Sequence, residues 1–175
     1  MQYFNTTEIY VKNYVKTYLE ANHGKVITLD EKIKDMFIDC LKDKNNCRDS
    51  IYGAKFPFDS KISIALTEYE FYHYGFIMTK TNMVKFSRFV EYEIKQQSRI
   101  YCALYKSFGM TYIKGIQLFQ KTYHLSENDF SIETAFKDIQ RNGIVIDDSM
   151  ENKIVEILAT ITKKSLKTVS SKSDN

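Results

Sequence analysis

The sequence predicts an all-α protein, with room for one very short strand pair, and three observations carry that prediction. The stretch from Lys80 to Phe108 contains neither Pro nor Gly. Along it Phe86, Val90, Ile94, Tyr101, Leu104 and Phe108 return to one face at about 100° per residue, the period of an amphipathic helix. Over all 175 residues there are one Pro and six Gly, too few for a turn-rich sheet fold. Thirteen Tyr and twelve Phe supply core volume in the absence of Trp, and this length encloses a core without covalent staples. The expected organisation is a single compact helical domain over 1–167, built around the long central helix. Residues 45–61 offer a subdomain boundary, and 168–175 a flexible polar tail.

The elements follow in order. Residues 6–21 read as a helix capped by Thr6 or Thr7, with Tyr10 or Val11, Tyr14 and Tyr18 on its inner face and a stop at Gly24. Residues 25–28 form either a short extended piece, available to pair with part of 76–79, or simply a linker. Thr28 or Asp30 caps a second helix to Lys44, facing inward with Ile33, Met36, Phe37, Cys40 and Leu41. Residues 62–78 fit a helix capped by Ser60 and broken near Gly75, although the alternation around Tyr69, Phe71 and His73 also fits a strand. Thr81 or Asn82 caps the long helix and Gly109 ends it. Thr111 caps a helix with Tyr112, Ile116, Phe119 and Tyr123 inward, and Gly115 within it marks close contact with the preceding helix. A turn at 124–129 leads to a helix over 132–141, stopped by Asn142-Gly143. A brief extended segment, 143–148, precedes a last helix from Ser149. No internal repeat is visible.

Charge gives the functional expectation. Residues 80–121 carry eight basic side chains against two acidic ones, while the chain as a whole is +3. Arg88, Lys95, Arg99 and Lys106 are offset by 7, 11 and 18 residues from the first, which sets them on one line about 27 Å long, opposite the apolar face. Such a ridge suits phosphate. Tyr92 is the aromatic nearest to it, whereas Tyr101 and Tyr105 belong to the core side. Residues 111–142 further suggest a helix-turn-helix-like pair. Lys114 and Lys121 lie on its first helix, and Thr134, Lys137, Gln140 and Arg141 on its second are chemically able to touch phosphate or base edges. The connection between them is, however, longer than the usual three or four residues.

The leading expectation is therefore non-enzymatic binding of duplex DNA, in a regulatory or accessory role. The alternative is a helical adaptor or structural protein. It would meet an acidic protein through the ridge, or self-associate through Ile154, Leu158 and Ile161 on the last helix. Nothing supplies a catalytic centre, a metal site or a cofactor motif. Glu68, Glu70 and His73 lack the spacing of a zinc-binding helix. His23, His124 and Cys47 lack orienting partners, and Asp129 and the Asp147-Asp148 pair lack the remainder of a calcium loop. Cys40, Cys47 and Cys102 are odd in number and form no close pair. With neither a secretory leader nor an apolar span of membrane length, they predict a reducing, cytoplasmic setting without membrane insertion.

Overall fold

The computed structural model describes residues 5–42, 58 and 60–144. In chain order the elements are β1 (Asn5–Val11), α1 (Asn13–His23), β2 (Val26–Ile27), α2 (Glu31–Cys40), β3 (Leu41–Lys42), β4 (Ser60–Leu66), α3 (Glu68–Tyr74), β5 (Ile77–Met78), α4 (Lys80–Ser107), α5 (Tyr112–Thr122) and α6 (Ile132–Asn142). The chain is mostly helical around the long α4, as the sequence predicts, with minor strand content. The expected last helix, the 143–148 segment beyond Ile144, most of the 45–61 stretch and the polar tail lie outside the described residues. Two compact units divide the chain, one formed by 1–96 with 120–131, the other by 97–119 with the chain from 132 onward.

The first unit contains strands where helix was expected. Over 5–11 the side chains of Thr7, Ile9 and Val11 are buried, while Thr6, Glu8 and Tyr10 are exposed. That period of two is a strand signature, and β-branched residues favour it. The helix begins only after Lys12. Likewise 62–78 divides into β4 and α3. Thr67 closes the strand and opens the helix: its hydroxyl accepts from Glu70 N, and the Glu70 carboxylate accepts from Thr67 N. This reciprocal cap satisfies two donors that would otherwise be orphaned. Lys34 of α2 makes an ion pair with the same carboxylate at 2.5 Å.

β1 and β4 pair antiparallel over seven residues, from Asn5 opposite Leu66 to Val11 opposite Ser60. β2 adds to the far edge of β4 in parallel, Val26 opposite Ser63. β5 pairs with β3 instead, Leu41 opposite Met78, so the expected pairing of 25–28 with 76–79 does not form. Asp30 does cap α2, accepting from Ile33 N at 3.0 Å.

These elements repeat although the residues do not. Each half runs through a seven-residue strand, a short helix, a glycine, a two-residue strand and a second helix. The two strands are 55 positions apart and carry the same pattern of inward residues, Thr7, Ile9, Val11 and Ile62, Ile64, Leu66. Their antiparallel register relates the two strands by a local two-fold that the later elements do not keep, since β2 lies beside β4 whereas β5 lies beside β3. Gly24 and Gly75 share one conformation, φ 81°, ψ −174° and φ 90°, ψ −175°, a region that glycine enters without a side-chain clash.

In the second unit the end of α4 packs against α5 and α6. Tyr101 meets Phe119 edge-on at 5.5 Å, with Ile100, Leu104, Ile116, Ala135 and Ile139 buried around them. Gly109 ends α4 at φ 71°, with Met110 N donating to Tyr105 O. Phe108 lies beyond the helix and is exposed, so the apolar face stops at Leu104. Gly115 is the expected point of close approach. A Cβ there would stand 2.8 Å from Cys102 Cα and 2.9 Å from Tyr101 O.

Two stability predictions follow from these contacts. Gly115→Ala gains up to ~1 kcal/mol of helix propensity but forces backbone against backbone. Urea unfolding should register a net loss of about 1–3 kcal/mol. For Glu70, burial alone would raise the pKa, but the hydrogen bonds from Lys34 and Thr67 outweigh it and hold the carboxyl below its usual range. Its stabilisation is thus complete above the ordinary glutamate pKa and is lost as pH falls through the depressed folded value. In Glu70→Gln, urea midpoints measured from about pH 6 to about pH 3 should fall less steeply than in the parent.

Candidate nucleic-acid interface

The orientation of α4 in the first unit is set at its first turn. The Thr79 hydroxyl, rather than Thr81 or Asn82, caps the helix, accepting from Asn82 N at 3.3 Å. The Asn82 side chain donates to Cys40 O at 2.8 Å. Met83, Phe86, Val90 and Ile94 are then buried, with Phe86 edge-on to Phe37 at 5.4 Å. The opposite side is left to Thr81, Lys85, Arg88 and Tyr92, all exposed. Thr81, Val84, Lys85 and Arg88 line an open hollow of about 480 Å³.

The acidic side chains of α4 do not cancel these cations, because other lysines hold them. Glu91 pairs with Lys12 at 2.9 Å, and Glu93, only 8% exposed, pairs with Lys32 at 2.6 Å. Tyr14 lies against Glu91. Burial, then the carboxylate's charge and hydrogen bond, push its hydroxyl pKa well above the usual tyrosine value. No carboxylate among the described residues pairs with Lys85, Arg88 or Lys95, although Lys95 is half-buried. Tyr92 is exposed, as expected, and its hydroxyl accepts from Gln96 at 2.7 Å. Lys85 escaped the sequence reading because it lies off the line through Arg88. Its spacing of three from Arg88 was the available signal.

The second unit changes the expected ridge. α4 continues through Gln97, but Arg99 is not a free cation. Its Nε donates to Asp138 at 2.7 Å, and the two side chains are 14% and 12% exposed. Asn142 donates to the other Asp138 oxygen. Arg99 therefore fastens α4 to α6 and is withdrawn as a phosphate contact. Lys137 is also engaged, donating to Glu133 one turn earlier at 2.6 Å. Lys106 is exposed and sits over the Tyr112 ring at 5.5 Å. Lys114, Thr134, Gln140 and Arg141 are exposed here, as is Lys121 in the first unit. The nine residues 123–131 join α5 to α6, three times the shortest turn of a helix-turn-helix. The groove-reading arrangement thus loses its compact connection.

Other candidate chemistry is either consumed or scattered. Cys40 and Cys102 are free and buried, and burial raises both thiols, Cys102 to about 12. Burial lowers the pKa of His23 despite the charge of Asp30. His124 occupies a turn at φ 55°. Asp129 is tied to Ser126 and Asn13. Among the described residues no group of His, Cys, Asp or Glu is placed to hold a metal. No helix among them is long and apolar enough to cross a membrane. Cys47, Asp147, Asp148, Ile154, Leu158 and Ile161 lie outside the described residues. Comparison with protein-family models, curated proteins and solved structures found no match.

The two arginines of α4 should separate in a stability measurement. Replacing Arg99 with Leu strands a largely buried carboxylate and should cost about 1–3 kcal/mol. Arg88→Ala should stay within about 0.5 kcal/mol of the parent in the same urea titration.

Proposed function

We propose that this protein is a non-enzymatic nucleic-acid-binding module that grips duplex DNA by its phosphates. One observation carries the reading: Lys85 and Arg88 stand exposed around an open hollow on α4, with no carboxylate paired to them among the described residues. Lys12 and Lys32 neutralise the acids of the same helix segment, so the local field stays positive. Lysine and arginine in this setting displace condensed counterions from DNA, which gives affinity without sequence choice. Lys95 adds to that field from its half-buried position, and Lys121 is a further exposed cation of the same unit. Lys106, Lys114 and Arg141 offer the second unit's own backbone contacts, with Thr134 and Gln140 as hydrogen-bonding neighbours. An accessory, architectural role suits this contact set better than operator recognition, because the connection before α6 is long. The buried free thiols fit a reducing compartment, and we assign the protein to the cytoplasm on that ground.

A helical adaptor that meets an acidic protein is the second reading. The loss of Arg99 from the cationic set favours it, since the remaining cations also suit a short acidic segment.

Fluorescence anisotropy of a labelled duplex over a salt series tests the first reading. The logarithm of affinity should fall linearly with the logarithm of salt, and Lys85→Ala with Arg88→Ala should make the slope shallower by roughly two. Absence of binding at low salt, or a slope unchanged by the double substitution, overturns it. Binding of polyglutamate under conditions where duplex does not bind supports the adaptor.

A further inference from the structure

The repeated strand–helix succession in the first unit leaves one copy with an uncovered surface. A shift of 55 positions carries Tyr14 and Tyr18 of α1 onto Tyr69 and His73 of α3. In the first half this ring pair is roofed by the turn before α6. Tyr14 packs against Phe130 at 6.4 Å, and Tyr18 against Tyr123 at 4.8 Å. In the second half Tyr69 and His73 stack on each other at 5.0 Å, and both are exposed. Tyr69 is 65% and Tyr72 76% exposed. Single exposed rings are ordinary, but neighbouring exposed rings on one helix form a contiguous patch, the kind of surface on which a partner docks.

The chemistry around the rings selects the partner. Glu68, Tyr69, Tyr72 and His73 line an open hollow of about 440 Å³. Glu70 turns away into its cap and its pair with Lys34. Glu68 is exposed and has no cation paired with it among the described residues. An unpaired carboxylate beside tyrosine faces repels phosphate and attracts a cation, and aromatic faces attract cations through their quadrupoles. Arginine and lysine also lay their methylene stems along apolar rings while the head reaches a charge.

We propose that the hollow bounded by Glu68, Tyr69, Tyr72 and His73 is a docking site for an arginine- or lysine-bearing segment of a partner protein. The cationic head meets the Glu68 carboxylate, and the stem lies on Tyr69 and Tyr72. The His73 ring, stacked on Tyr69 and edge-on to Tyr74 at 4.7 Å, holds the Tyr69 ring in place. This site is separate from the cationic hollow on α4 and does not depend on that hollow binding DNA.

NMR titration of the full chain with an oligoarginine peptide tests it, with an oligoglutamate peptide and a short single-stranded thymidine oligomer as the other probes. Oligoarginine should shift the ring resonances of Tyr69, Tyr72 and His73 to saturation. Tyr72→Ala and Glu68→Gln should each weaken that binding about fivefold, and Lys85→Ala with Arg88→Ala should leave it unchanged. Both test positions are exposed, and an unchanged amide spectrum elsewhere verifies the fold of each variant. Oligoarginine shifts confined to other acidic residues, or affinity indifferent to both variants, overturn the proposal. A response of these rings to thymidine but not to oligoarginine overturns it in favour of a base-stacking platform.

Discussion

The seven-residue ladder between β1 and β4 is the constraint on which the first unit rests. It joins segments 55 positions apart, and its antiparallel register makes each strand the mirror of the other's role. Once Ile9 and Val11 face the same interior as Ile64 and Leu66, the helices that follow each strand have little freedom. Each begins one residue after its strand and ends at a glycine with a left-handed backbone. The short strands β2 and β5 then find edges at β4 and β3, and α2 and α4 close over the apolar side, with Phe37 on Phe86 at the contact.

Placement of α4 decides the electrostatics. With Phe86, Val90 and Ile94 committed inward, Lys85 and Arg88 have nowhere to go but water. The same rotation brings Glu91 and Glu93 toward Lys12 and Lys32 on neighbouring segments. Burial makes Glu93 demand a partner, because an unpaired carboxylate in that position would be costly. Positive potential at the outer side of the helix is thus a by-product of packing on its inner side.

Much of the fold was legible in the sequence. The long α4, α5 with its glycine contact, and α6 with its Asn142-Gly143 stop all carry strong helical periods, and periodicity reports burial directly. The N-terminal strand was not legible, because Val11, Tyr14 and Tyr18 extend a helical pattern backward across Lys12 and mask the alternation of Thr7, Ile9 and Val11. The β4–α3 boundary was in view as Thr67-Glu68-Tyr69-Glu70, the pattern of a reciprocal cap, but the aromatic run around it blurred the two periods. For the candidate site, face and charge could be read, and pairing could not. Nothing along the chain announces that Asp138 will meet Arg99, since that carboxylate is 39 positions away and its neighbours are ordinary surface residues.

The β1–β4 ladder also has a consequence for how the chain is made. During synthesis β1 leaves the ribosome some fifty residues before its partner strand exists, and the two edges must then close a long loop. α1 and α2, at 11 and 10 residues, are too short to persist alone in water, so they too are secured only when the ladder closes. Until Leu66 has emerged, the nascent chain shows a bare strand whose inward residues are Thr7, Ile9 and Val11, an edge of the kind that other chains can pair with. The alternate residues Thr6, Glu8 and Tyr10 include one charge, and Lys12 follows directly, which tempers that exposure while it lasts.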